Sequence, residues 1–257
     1  MVSGLSKAVL LGIAVLGSLS RDGSTGGAGT GTVSPDRLRA ISARYLGVPY
    51  KLDCLGEAAG VDSDPLFDRT RADCQTLVEQ VMAEAVAPDV GGLDTAVRLI
   101  RYRGSEVRLA DRYHYCVPDW LENPWPAVDV TAAIGKGLTV STQRRIDRAA
   151  LLKKRGVQAA VPVQQVRTVY VPRAQVGRLL DRIPDGSIGI LVSDRKDLVA
   201  GHLGFLFRRN GKVVLRHASQ TRKKVIDEPL TTYLARAPKR FVGMQLLQPD
   251  LSGLRRR

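Results

Sequence analysis

Apolar residues along the chain follow two spacings, and the change from one to the other organises the protein. In the first half the spacing is helical. Leu38, Ile41 and Tyr45 share one face behind Ser34-Pro35 and ahead of Gly47, which predicts a helix with an N-cap, a proline in its first turn and a glycine stop. The same period returns at Leu77, Val78, Val81, Met82 and Ala85, so Cys74 falls in the first turn of a second, half-buried helix. Between the two helices the stretch from Asp53 to Thr70 is polar, with Gly, Asp and Pro, and reads as loop.

In the second half the pattern becomes β-like. Gly201 to Phe207 is an extended segment, Asn210-Gly211 is a two-residue hairpin signal, and Lys212 to Ala218 returns as a partner strand. With Asn210 and Gly211 as the turn, His202 faces Ser219 and His217 is its diagonal neighbour on the same face of the sheet. The turn Ile183-Pro184-Asp185-Gly186 feeds an apolar strand, Ile188 to Val192; Pro229 to Ala235 and a strand near Phe241 to Leu247 close the domain. Residues 129–172 mix alternating segments (Val161-Pro162-Val163, Thr168 to Val171) with basic helical material from Gln143 to Lys154. They read as an insertion that also supplies sheet strands. The whole predicts an α+β layout, with the cysteine helix packed on an antiparallel sheet that carries the histidines.

The N-terminus has a different character. Lys7, an apolar run from Ala8 to Gly17, and small residues at Ser18 and Ser20 outline a signal peptide over residues 1–20. The run is too short for a stable membrane-spanning helix, which needs about 20 apolar residues, although an uncleaved anchor is the rival reading. No later segment is long and apolar enough to span, so the mature form is expected to have no transmembrane segment. Residues 21–34 have the composition of a Gly/Ser/Thr tether. A catalytic domain is expected over residues 35–250, with a basic tail at 251–257. The compartment implied is periplasmic or extracellular.

Charge narrows the partners. The chain of 257 residues carries 39 Lys and Arg against 25 Asp and Glu, a formal +14, and such a surface is drawn to polyanions. For an exported protein those are anionic wall polymers or a lipid surface. The basic residues are scattered rather than gathered with aromatic platforms, which argues against nucleic acid.

Chemistry rests on three cysteines and three histidines. A thiol at a helix N-terminus meets unpaired amides and the positive dipole end, which lower its pKa and offer N–H donors to an oxyanion. Cys74 has that position, though a cysteine is equally an ordinary small buried residue. An odd cysteine count leaves one thiol over; a Cys54–Cys116 disulfide would leave Cys74 free, but sequence alone does not fix the pairing. His202 is placed to take the thiol proton, and His217 to hold His202 in the right tautomer. A zinc site from Cys54, Cys74, His202 and His217 lacks any C-x-x-C or H-x-x-x-H spacing, and no metal or other cofactor is called for.

Taken in order, Gly47-Val48-Pro49-Tyr50, Ala72-Asp73-Cys74-Gln75-Thr76, Tyr102-Arg103-Gly104, Arg112-Tyr113-His114-Tyr115, Asp119-Trp120, Gly201-His202-Leu203-Gly204 and His217-Ala218-Ser219 resemble one group. It is the N-acetylmuramoyl-L-alanine amidase-like family, a branch of the NlpC-type papain-fold cell-wall cysteine peptidases. The resemblance implies a papain-like fold, Cys74 as nucleophile, His202 as base, His217 as its orienting residue, and Tyr50 lining the site. Cys54 is the rival nucleophile, but no amphipathic helix follows it. Gln75 and Cys116 depart from the family pattern, in which Thr and an aromatic are commoner. The implied reaction is hydrolysis of an amide in peptidoglycan or muropeptides, foremost the bond between muramic acid and L-alanine, through a thioacyl-enzyme. A stem-peptide endopeptidase, a thiol acyltransferase and a non-catalytic wall-binding protein are the alternatives. His114, Arg101, Arg103 and Trp120 are candidates for substrate contact, because Arg can clamp a carboxylate in bidentate fashion; a core Trp and a solvated Arg-Tyr-Arg edge are equally ordinary.

Overall fold

The computed structural model describes residues 33–104, 106–123, 125–251 and 254. The expected signal peptide, most of the expected tether and most of the basic tail lie outside them. The first helix, α1 (Pro35–Ala43), begins at its proline as expected, though Ser34 makes no side-chain cap. The second, α2 (Cys74–Val86), starts on the cysteine. Asp73 is its N-cap, accepting from the Gln75 and Thr76 amides, while the Thr76 hydroxyl accepts from the Asp73 amide. Four donors at a helix start need partners, and this reciprocal cap holds the first turn, and Cys74 with it, in place. Then come α3 (Leu93–Arg101), α4 (Cys116–Glu122), strand β1 (Ala127–Asp129), α5 (Thr131–Gly135), β2 (Val140–Ile146), α6 (Arg148–Lys154), β3 (Gln164–Pro172), β4 (Ser187–Ser193), β5 (Ala200–Arg209), β6 (Lys212–Ser219), β7 (Lys224–Pro229), α7 (Leu230–Arg236) and β8 (Phe241–Pro249).

Among the described residues all eight strands join one antiparallel sheet in the order β2-β3-β8-β4-β5-β6-β7, with β1 also paired to β8. The expected insertion therefore extends the same sheet rather than standing apart. Its basic stretch is only partly helical. Gln143 to Ile146 belongs to β2, because Arg144 and Ile146 are buried at a period of two, and Asp147 caps α6 just afterwards. Val161-Pro162-Val163 precedes β3 instead of pairing.

The β5–β6 hairpin turns as predicted: Arg209 pairs Lys212 and the register continues to Phe205–Arg216. Asn210 (φ 51°) and Gly211 (φ 73°) supply the left-handed backbone that a tight hairpin turn requires. The sheet is covered on both faces. Leu203, Phe205 and Phe207 of β5 join a core with α1, α2 and α3. Leu206, with Leu215 of β6, faces α7 and the segment Arg173–Leu179. Side chains alternate along a strand, so His202 and His217 face the α7 side while the body of α2 covers the other.

Candidate active site

The two imidazoles meet. His202 Nε2 lies 2.7 Å from His217 Nδ1, and His217 Nε2 lies 2.8 Å from Glu228 Oε1 on β7. Diagonal register produces both contacts, and Gly204 permits the first: a Cβ there would stand 2.5 Å from the Arg216 carbonyl and 2.8 Å from His217 Cβ. Hydrogen-bond roles follow from the carboxylate, which can only accept, and to which Arg236 is also bound. His217 must donate Nε2–H to Glu228, so its Nδ1 accepts from His202 Nε2–H, and the His202 Nδ1 lone pair is left free as a base. The ring of Tyr233 on α7 packs 5.7 Å from His202 and 5.2 Å from His217.

Cys74 reaches this chain from the opposite face. Its sulfur accepts from the backbone N–H of Leu203, the residue after His202, and its charge would be felt by Tyr50 and Tyr233. Burial, then the Asp73 carboxylate, push the thiol up to about 12, outweighing the Leu203, Gln75 and Cys74 amides. A helix N-terminus by itself lowers a thiol; here burial and the Asp73 cap, whose carboxylate takes the amides of Gln75 and Thr76, reverse that direction. Burial and the neighbouring His217 pull His202 down to about 3; burial also lowers His217, against the opposing pull of Glu228. Both trends favour the uncharged partners, so the resting pair is a neutral thiol and a neutral imidazole.

The other thiols differ in setting. Cys54 is fully buried, 3.6 Å from the Thr76 hydroxyl, and Cys116 is buried beside Cys74 with its thiol pushed up by burial. All three are free. Among the described residues no three His, Cys, Asp or Glu side chains gather as metal ligands would, and no helix is long and apolar enough to cross a membrane.

A family model of N-acetylmuramoyl-L-alanine amidase-like proteins, AmiA-like, matches residues 40–244, which take in every part of this site. The chain belongs to the AmiA-like family. A Legionella pneumophila protein of the family model DUF1460 shares the fold at 22% identity and a TM-score of 0.73, over 84% of this chain and 89% of that one. An N-acetylmuramoyl-L-alanine amidase from Bacteroides uniformis is 25% identical at a TM-score of 0.69, over 84% of this chain and 98% of that one. A search of curated proteins gives no match.

The substrate candidates of this AmiA-like chain separate sharply. Tyr50 stands beside Cys74, its hydroxyl pushed up to about 12 by burial first and the thiol second. His114 is half-buried and lines two cavities. Arg101 is a correction: it is 1% exposed, bound to Glu79 at 3.2 Å and donating to the carbonyls of Leu55, Gly56 and Leu66. It straps the 53–70 loop to α2 and has no surface left for substrate. Trp120 is corrected likewise, buried and stacked on Trp125 at 4.1 Å. Arg103 is bound to Asp119 at 2.7 Å, a carboxylate that also takes Arg148, so its guanidinium is already engaged. Glu228 and Tyr233 were missed. Register could have found Glu228, since it is diagonal to His217 across β6–β7, but the strand boundary after Ser219 was not legible.

Proposed function

We propose that this protein is an exported cysteine hydrolase of papain-like fold that cleaves an amide of peptidoglycan or its muropeptides, foremost the N-acetylmuramoyl-L-alanine bond. The observation that carries the reading is the chain His202–His217–Glu228 together with the Cys74 sulfur held on the backbone N–H of Leu203, the residue after His202. Family membership and the Bacteroides uniformis amidase support the substrate class.

The chemistry starts from the neutral pair. His202 Nδ1 takes the Cys74 proton as sulfur attacks the carbonyl, so charge appears only as the bond forms. The imidazolium is stabilised through His217 by Glu228. Asp73 holds the Gln75 and Thr76 amides, and the Gln75 side chain is held by Glu79 and the Tyr113 carbonyl. The Cys74 N–H is the helix-end donor that remains for the oxyanion. Collapse expels the amine, which receives the proton from His202, and leaves the acyl group on sulfur. Water, deprotonated by His202, then releases the acid and restores the thiol.

Mass analysis of a defined muropeptide tests this. Wild-type protein should release the intact stem peptide and Cys74→Ala should release none. Cuts within the stem would make it an endopeptidase, and acyl products other than the acid would make it a transferase. Full activity in Cys74→Ala would sink the mechanism.

A further inference from the structure

Beside the nucleophile lies a groove that the reaction above does not use. One cavity of about 260 Å³ is walled by Asp73 and Gln75, on either side of Cys74, and by Arg112 and Arg155. A second, of about 500 Å³, lies between α6 and the connection from β4 to β5. His114 and Leu151 line both, so the two cavities adjoin at the His114 ring, which is a wall of each side of this trough.

That ring is fixed from two sides. Gln75 Nε2 donates to the Tyr113 carbonyl at 2.7 Å, anchoring the residue before it to the residue after the nucleophile. His114 Nε2 lies 2.7 Å from the Leu109 carbonyl, and a carbonyl only accepts, so Nε2 carries the hydrogen. Burial pulls the imidazole down to about 4, so the ring is neutral near pH 7 and Nδ1 holds a bare lone pair. No donor among the described residues takes it. The arginines of the trough are paired with carboxylates: Arg145 with Asp147, Arg195 with Asp197, Arg155 with Asp53 and Arg112 with Asp62; Lys154 also lines it. An anion would find those guanidiniums already answered, whereas at His114 Nδ1 a hydrogen-bond donor would find an acceptor.

We propose that His114 Nδ1 receives an amide N–H of the substrate, making the trough an amide-reading subsite next to Cys74. The donor is a stem-peptide N–H or the acetamido N–H of the sugar. The proposal rests on the muropeptide reading above, and its test separates the two.

Nitrogen-15 spectra of the histidines give the first arm, using Cys74→Ala protein with and without a muropeptide. The free protein should show His114 as the Nε2–H tautomer, and ligand should shift its Nδ1 signal towards a hydrogen-bonded value. Kinetics give the second. His114→Gln keeps an N–H for Leu109 but loses the acceptor, whereas His114→Asn places an oxygen where Nδ1 stood. His114→Gln should raise KM roughly two- to tenfold, the worth of one neutral hydrogen bond, with alkylation of Cys74 by iodoacetamide unchanged; His114→Asn should recover most of the loss. Two substrates find the donor, one N-methylated at the first amide beyond the scissile bond, the other with the acetamido group replaced by acetoxy. Wild type should lose affinity for one of them, and His114→Gln should be indifferent to that same change. An unshifted Nδ1 with wild-type KM in both variants overturns the proposal even if hydrolysis proceeds. A shifted Nδ1 in a protein that forms no product keeps the subsite and defeats the hydrolase reading.

Discussion

Removing the carboxylate at the end of the histidine chain, Glu228→Ala, separates two roles that the geometry gives it. Glu228 accepts the His217 Nε2 proton at 2.8 Å and opposes the charge of Arg236. If it only selected a tautomer, its loss would leave two neutral forms of His217 of similar energy, and activity would fall by about twofold. If it also stabilises the imidazolium formed during proton transfer, the loss is that of a hydrogen bond to a charged group, about 1.5–3 kcal/mol. That converts to roughly 10- to 150-fold in kcat/KM. Arg236, left without its partner beside His217, acts in the same direction. The second magnitude is the prediction. Glu228→Gln, with a hydrogen-bonding group but no charge, should fall between the two. Steady-state hydrolysis of a muropeptide reads the effect, with melting temperature as control for folding. The direction of titration adds a check: Glu228 raises His217, so its loss should move any acid limb set by His217 to lower pH. A Glu228→Ala protein within about twofold of wild type, when Cys74→Ala is inactive, would refute the charge role.

Arg101→Met should destabilise the fold by about 3–5 kcal/mol, because it leaves Glu79 buried without its cation. Denaturant titration measures it, and Arg101→Met combined with Glu79→Leu should recover part of the loss. Gly204→Ala should cost about 1–3 kcal/mol from the clash with the Arg216 carbonyl, and kcat should drop further than stability accounts for as His217 shifts away from His202. Stability should decline as pH falls. His202, at about 3 in the fold, against about 6.5 unfolded, binds fewer protons than the open chain across that interval, so its stabilisation is present above the upper value and lost towards the lower. Melting temperatures from pH 7 to pH 4 check the sign. Cys74 alkylation should rise steadily from pH 6 to 9, since a thiol near 12 has no plateau there; a plateau at about pH 6 would mark a resting thiolate instead.

The parts legible in the sequence are those set by local rules. Ser34-Pro35, the stripe from Leu77 to Ala85 and Asn210-Gly211 each determine a helix or a turn within a few residues. From that turn alone the register brought His202 and His217 together. What was not legible depends on neighbours distant in sequence. Arg101 and Trp120 carry polar or amphipathic side chains that look available until Glu79, the 53–70 loop and Trp125 are folded around them. The Cys74 thiol reads as activated from its helix position, and only packing shows burial and Asp73 opposing that. Arg144 and Arg145 look helical beside Lys153 and Lys154 until the pairing of β2 with β3 sets their period at two.

The central claim is that the Cys74 sulfur carries the acyl group, and rapid-quench intact-mass analysis during turnover of a muropeptide addresses it most directly. The account predicts a transient adduct equal to the muramyl acyl fragment, mapped to the peptide containing Cys74, removed by hydroxylamine and absent in Cys74→Ala. Product formation at the wild-type rate with no adduct on Cys74, and with Cys74→Ala still active, would contradict it.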